Sequence, residues 1–114
     1  MSLSWRISWR SKLTRRLRPF QGKTFSLVDQ MRRAAASVGM NLMEGAMRLG
    51  SREYRQFVGI ARGSAGEVCY QLLLAKDLNY ISEDTYRELR SGYDRVLQML
   101  SRLSQTLGNV SRSR

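Results

Sequence analysis

The sequence predicts an all-α protein, an antiparallel up-and-down four-helix bundle, and three observations predict it. The chain has 114 residues, the length of one domain, and 42% of them are apolar, enough for one core without metals or disulfides. One proline and a few scattered glycines interrupt a composition rich in Leu, Arg, Ala and Met, which suits long helices. Apolar residues recur at alternating spacings of three and four, the period of a helix with one buried stripe. Residues 1–114 are read as a single domain, with 1–22 as a basic first helix and 109–114 as a frayed tail.

The opening helix runs from about Leu3 to Arg18, with Trp5, Trp9, Leu13 and Leu17 every four residues as an apolar stripe between arginines. Pro19 ends it or bends the chain. From Thr24 a second helix follows a heptad seam of Val28, Met31, Ala35, Val38, Leu42, Gly45 and Leu49. After the break at Leu49-Gly50, Ser51 reads as an N-cap and Glu53 as a first-turn acid that suits the helix dipole. The third helix carries one seam at Tyr54, Val58, Ala61, Ala65, Val68, Leu72 and Ala75. A second runs through Phe57, Ile60, Ser64, Gln71, Leu74 and Leu78. A helix apolar on two sides must meet two neighbours or a partner subunit. Asn79-Tyr80-Ile81 is a tight connection, and Ser82 with Glu83 and Asp84 is the next N-cap. The last helix follows Tyr86, Leu89, Tyr93, Val96, Leu100, Leu103 and Leu107, with Gly108 as its C-cap residue. Short turns and sustained seams predict antiparallel neighbours crossing at roughly 20°.

Charge narrows the function. Twenty Lys and Arg against nine Asp and Glu leave +11, far more than solubility needs, so a polyanion is the expected partner: RNA, DNA or both. Arginine predominates, which favours bidentate grip on phosphate over plain solubilising charge. Seven basic residues, Arg6, Arg10, Lys12, Arg15, Arg16, Arg18 and Lys23, fall in the first 28 positions with no acid among them. Arg32 and Arg33 sit beside the second helix's seam, and Arg48, Arg52, Arg55 and Arg62 line an edge across the next turn. These thirteen residues are the candidate nucleic-acid contacts. Each, taken singly, also fits a solvated or ion-paired side chain. Trp5 and Trp9, interleaved with Arg6 and Arg10, suit base stacking or burial in the bundle.

Other chemistry is disfavoured. Cys69 is the single cysteine and histidine is absent, so no disulfide and no His/Cys ligand set is expected; a reducing cytoplasm fits. No cofactor is expected. No apolar run approaches the roughly 18–20 residues that span a bilayer, although the acid-free, Arg- and Ser-rich start has the look of a transit peptide. Gly59, Gly63 and Gly66 lie on neighbouring turns in GIARGSAGE, where close approach of another helix is the ordinary explanation. They lack the preceding strand and following Lys-Ser/Thr pair of a phosphate loop. Glu44 and Glu67 fall in small or apolar surroundings and, if buried, need Arg32, Arg33 or Arg62 as partners. Without histidine or a second acid at matching spacing, they do not make a catalytic pair, and no enzyme is expected. Two further readings stand beside nucleic-acid binding: a scaffold whose basic face docks an acidic protein surface, and a membrane-surface domain led by the Trp/Arg helix.

From Gln30 to Ser82, QMRRAAASVGMNLMEGAMRLGSREYRQFVGIARGSAGEVCYQLLLAKDLNYIS resembles the bacterial four helix bundle protein family. Its members include proteins encoded in intervening sequences of large-subunit ribosomal RNA genes, and the accessory variability determinant of diversity-generating retroelements is related. The matching positions are Gln30, Arg32, Arg33, Ala34, Ala35, Ser37, Asn41, Glu44, Gly45, Arg48, Ser51, Glu53, Tyr54, Phe57, Ala61, Gly63, Ser64, Glu67, Gln71, Leu72, Ala75, Leu78 and Tyr80. Met99, Leu100 and Leu103 extend the likeness into the last helix. The resemblance implies an antiparallel four-helix bundle assembled as a homopentameric ring. For the retroelement members it implies binding to a reverse transcriptase and its template RNA, and the high positive charge is more similar to those members. The short, Arg-rich opening departs from the family pattern. Met40 and Met43 stand where proline and alanine are usual, which predicts a straighter second helix.

Overall fold

The computed structural model describes the backbone of residues 21–113 and the side chains of residues 26–110. The described residues form three α-helices and no strand: α1 (Gln21–Ala46), α2 (Ser51–Asp77) and α3 (Glu83–Ser113). The opening helix of the four expected lies outside them.

Contacts across the interfaces establish the directions. Ser37 meets Ser64 while Gly45 meets Tyr54 and Phe57, so α1 and α2 run antiparallel. Arg55 meets Ser104 while Lys76 lies over the Tyr86 ring, so α3 turns back along α2. The expected seams supply the core. Val58, Ala61, Ala65, Val68, Leu72 and Ala75 are buried along α2, between Val28 and Met31 of α1 and Leu89, Tyr93 and Leu100 of α3. Alanines alternating with larger residues let the helices approach closely. A polar layer crosses the α1/α2 seam: the Ser64 hydroxyl donates to Ser37 Oγ (2.8 Å), and Asn41 Nδ2 donates to Ser37 O (2.8 Å) and Oγ (2.9 Å). Polar groups satisfied in this way disfavour a slipped register.

The turn between α2 and α3 is built from local chemistry. Asn79 takes a left-handed φ of 61°, which asparagine tolerates better than most side chains. The Tyr80 N–H then bonds to Ala75 O (2.7 Å) and the Asn79 N–H to Lys76 O (2.9 Å), satisfying the last carbonyls of α2. Tyr80 and Ile81 are buried beneath the turn. Ser82 caps α3 as expected: its Oγ accepts from the Thr85 N–H (3.1 Å), and Glu83 and Asp84 occupy the first turn. Ser82→Ala should cost about 1 kcal/mol in urea denaturation, and Ser82→Gly only a few tenths.

Several expectations are corrected. Gly50, in extended conformation, is the N-cap of α2 without a side-chain hydrogen bond; Ser51 is already helical. Gly108 does not end α3, which continues through it to Ser113, so the expected frayed tail is helical there. A Cβ on Gly108 would lie 3.0 Å from the Arg55 guanidinium carbon, so this glycine makes room for a neighbouring side chain. Conversely, a Cβ on Gly59, Gly63 or Gly66 would meet nothing within 4 Å, so none of the described helices closes over them. The close approach is at Gly45 instead. In the second seam of α2, Ile60, Leu74 and Leu78 are exposed, as is Leu49 at the end of the α1 seam.

Both outer helices pack on α2 and scarcely touch each other. Among the described residues, one side of the bundle is therefore left without a covering helix. Along it α3 carries Gly92, Met99, Thr106 and Val110, flanking Val96 and Leu103 at the edge of its core seam. On α1 the corresponding row is Ala36, Gly39, Met43 and Ala46. Met43, Met99 and Val110 are exposed there.

Candidate nucleic-acid interface

The antiparallel packing sorts charge by height along the bundle. The half that holds the α1–α2 turn, residues 38–63 and 97–110, carries Arg48, Arg52, Arg55, Arg62 and Arg102 against Glu44 and Glu53. The other half carries Arg32, Arg33, Lys76, Arg87, Arg90 and Arg95 against Asp29, Glu67, Asp77, Glu83, Asp84, Glu88 and Asp94. The first half thus has three positive charges in excess and the second one negative.

Arg48 is the arginine of the basic half that its own chain neutralises. Its guanidinium lies 2.6 Å from Glu44 Oε1 and 3.9 Å from Glu53 Oε2, with its carbon 4.9 Å from the Phe57 ring centre. Glu44 is exposed and paired one helical turn away, which corrects the expectation of a buried carboxylate served by Arg32, Arg33 or Arg62; Glu67 is exposed too. Arg52, Arg55 and Arg62 share one face of α2, spaced three and seven along it, and make no ion pair among the described residues. Arg55 Nε donates to Ser104 Oγ (3.3 Å), which aims its guanidinium along the α2/α3 groove.

Arg32 and Arg33 do not join this edge. They sit in the charge-balanced half, Arg32 4.0 Å from Asp29 and Arg33 exposed without an ion pair among the described residues. Lys23 is on α1, its side chain outside the described residues. Arg6, Arg10, Lys12, Arg15, Arg16 and Arg18, with Trp5 and Trp9, also lie outside them.

Sequence reasoning missed Arg102. It lines, together with Arg62, Leu97, Gln98 and Ser101, a shallow open cleft of about 450 Å³ between α2 and α3. An isolated arginine among leucines signals nothing until the partner helix is in place.

Arg90 donates to Asp94 Oδ1 (2.9 Å) and the Tyr86 hydroxyl (3.2 Å), which holds its charge more firmly than usual. Burial pushes the Cys69 thiol above its ordinary range, and the Tyr93 phenol likewise. Among the described residues no group of three or more His, Cys, Asp or Glu is placed to hold a metal, and no helix is long and apolar enough to cross a membrane.

An antiparallel helical assembly with its net positive charge gathered in one half defines a class, the small basic helical-bundle proteins. More narrowly, the chain belongs to the 23S rRNA-intervening sequence protein family, whose model matches residues 9–102. No curated protein matches it. The match begins inside the opening segment, earlier than the likeness legible from Gln30 onward.

Proposed function

We propose that the protein is a non-enzymatic nucleic-acid-binding accessory protein that grips RNA or DNA through phosphate contacts and works as an oligomer. The observation that carries this reading is the set of arginines, 52, 55, 62 and 102, left without carboxylate partners in one half of the bundle. A phosphate strand laid on such a surface sheds condensed cations, and their release drives affinity without reading sequence.

The opening segment completes the bundle in this proposal. Its stripe of Trp5, Trp9, Leu13 and Leu17 has the spacing needed to lie against the uncovered seams of α1 and α3, and the family match from residue 9 supports counting it in the domain. Its arginines then join the cationic surface. A homopentameric ring, the assembly the resemblance implies, multiplies modest contacts per subunit into avidity. The charge of +11 favours the retroelement version of the role, in which the protein also docks on a reverse transcriptase.

Mobility-shift titration of the full chain against unrelated RNA and DNA tests the reading. Binding to all of them is expected at about 50 mM salt, falling steeply as salt rises. No shift at that salt overturns it. Light scattering on the same sample counts the subunits. Capture of reverse transcriptase that survives nuclease treatment would support the narrower role.

A further inference from the structure

We infer that the α2/α3 cleft between Arg62 and Arg102 is a site for one nucleotide unit of a single-stranded nucleic acid, its phosphodiester clamped by the two guanidinium groups. The inference rests on the nucleic-acid reading above and gives it a place and a strand type.

Three features carry it. Arg62 and Arg102 are exposed, line the same cleft from α2 and α3 and form no ion pair among the described residues, so their donors are free for an oxyanion. A pair of planar guanidiniums matches a phosphate's two non-bridging oxygens better than ammonium groups do. The floor between them is half-buried Leu97, with the Gln98 amide and Ser101 hydroxyl beside it. That combination offers an apolar surface to a ribose or base face and polar groups to its edge. An anion site for free phosphate alone has no use for the apolar floor.

Geometry selects the strand. The axes of packed helices lie roughly 8–10 Å apart, so the surface furrow between α2 and α3 is narrow; one flexible strand can follow it, whereas the stiff rod of a duplex rests on the helix crests. The furrow also continues. Arg55, anchored on Ser104 and packed over Gly108, is two turns from Arg62, about 10 Å along α2, and meets the strand next.

The test measures anisotropy of a labelled oligouridylate and of a labelled RNA duplex, using the full chain and three paired variants. These are R62Q/R102Q, R62K/R102K and R87Q/R95Q, the last removing the same charge from two exposed arginines of the charge-balanced half. All four positions are exposed, and circular dichroism checks that each variant keeps its helicity. The wild type should prefer the single strand, R62Q/R102Q should lose roughly tenfold, the lysine pair should recover only part, and R87Q/R95Q should lose little. Equal losses in R87Q/R95Q and R62Q/R102Q, or equal binding of duplex, overturn the cleft while leaving nucleic-acid binding in place. Failure of the wild type to bind either polymer overturns both. Competition by inorganic phosphate as strong as by uridine monophosphate would make the cleft a free-anion site and overturn the nucleotide assignment.

Discussion

Gly45→Val should cost the protein about 3 kcal/mol or more and separate α1 from α2. A Cβ built at Gly45 lies 2.7 Å from Phe57 Cβ, 2.8 Å from Tyr54 Cδ1 and 3.3 Å from the Tyr54 carbonyl oxygen. Phe57 Cβ is fixed to the backbone and cannot swing away, so relief requires the helices to part. The neighbouring Ser37, Asn41 and Ser64 hydrogen bonds would be strained with them. Even alanine should destabilise, because its gain of about 1 kcal/mol in helix propensity falls short of the clash. Gly63→Ala supplies the contrast. Nothing lies within 4 Å of its Cβ position, so it should stabilise an isolated protomer by up to about 1 kcal/mol. Urea denaturation of the three variants gives the ordering. A Gly45→Val protein as stable as the wild type would refute the packing described. A Gly63→Ala penalty that appears only at high protein concentration would place that face in a subunit contact.

Converting Arg52, Arg55, Arg62 and Arg102 together to glutamine should flatten the salt dependence of single-strand binding by close to three units in log K against log salt. The figure follows from a loss of about 0.7 unit for each phosphate contact to a single strand. Arg87→Gln is the matched control, because Arg87 lies 3.2 Å from Glu83 in the half where charge is balanced. It should leave the slope unchanged. Titrations between about 50 and 200 mM salt resolve the difference. Parallel lines for wild type and quadruple variant would move the contact to the opening segment, where Arg15, Arg16 and Arg18 become the next residues to change.

Much of the fold was legible because it depends on short-range periodicity. The seam from Tyr54 to Ala75 was readable from spacing, as were the Asn79 turn and the Ser82 cap. What spacing did not show was what lay opposite. Gly108 has the signature of a helix stop, yet one glycine costs a long helix only about 1 kcal/mol, and here it opens space for Arg55. The triplet Gly59, Gly63, Gly66 resembles a contact surface but meets nothing among the described residues, while Gly45, read only as one position of the α1 seam, bears the contact. At the candidate site, Arg52, Arg55 and Arg62 share a face because of helical period alone. Arg102 joins them through antiparallel register, and Arg48 leaves them through its pairing with Glu44 and Glu53. Both depend on neighbours that a linear pattern does not name.

Among the described helices α2 alone joins the other two, which has a consequence for how these three breathe. Lifting α1 scarcely disturbs the packing of α3, and lifting α3 leaves α1 seated on α2, so the two departures are separate partial openings with separate free energies. Only the loss of both strips α2. Its central amides, from Val58 to Ala75, should therefore exchange with solvent deuterium last, at the rate of global unfolding, while each outer helix reports its own faster opening.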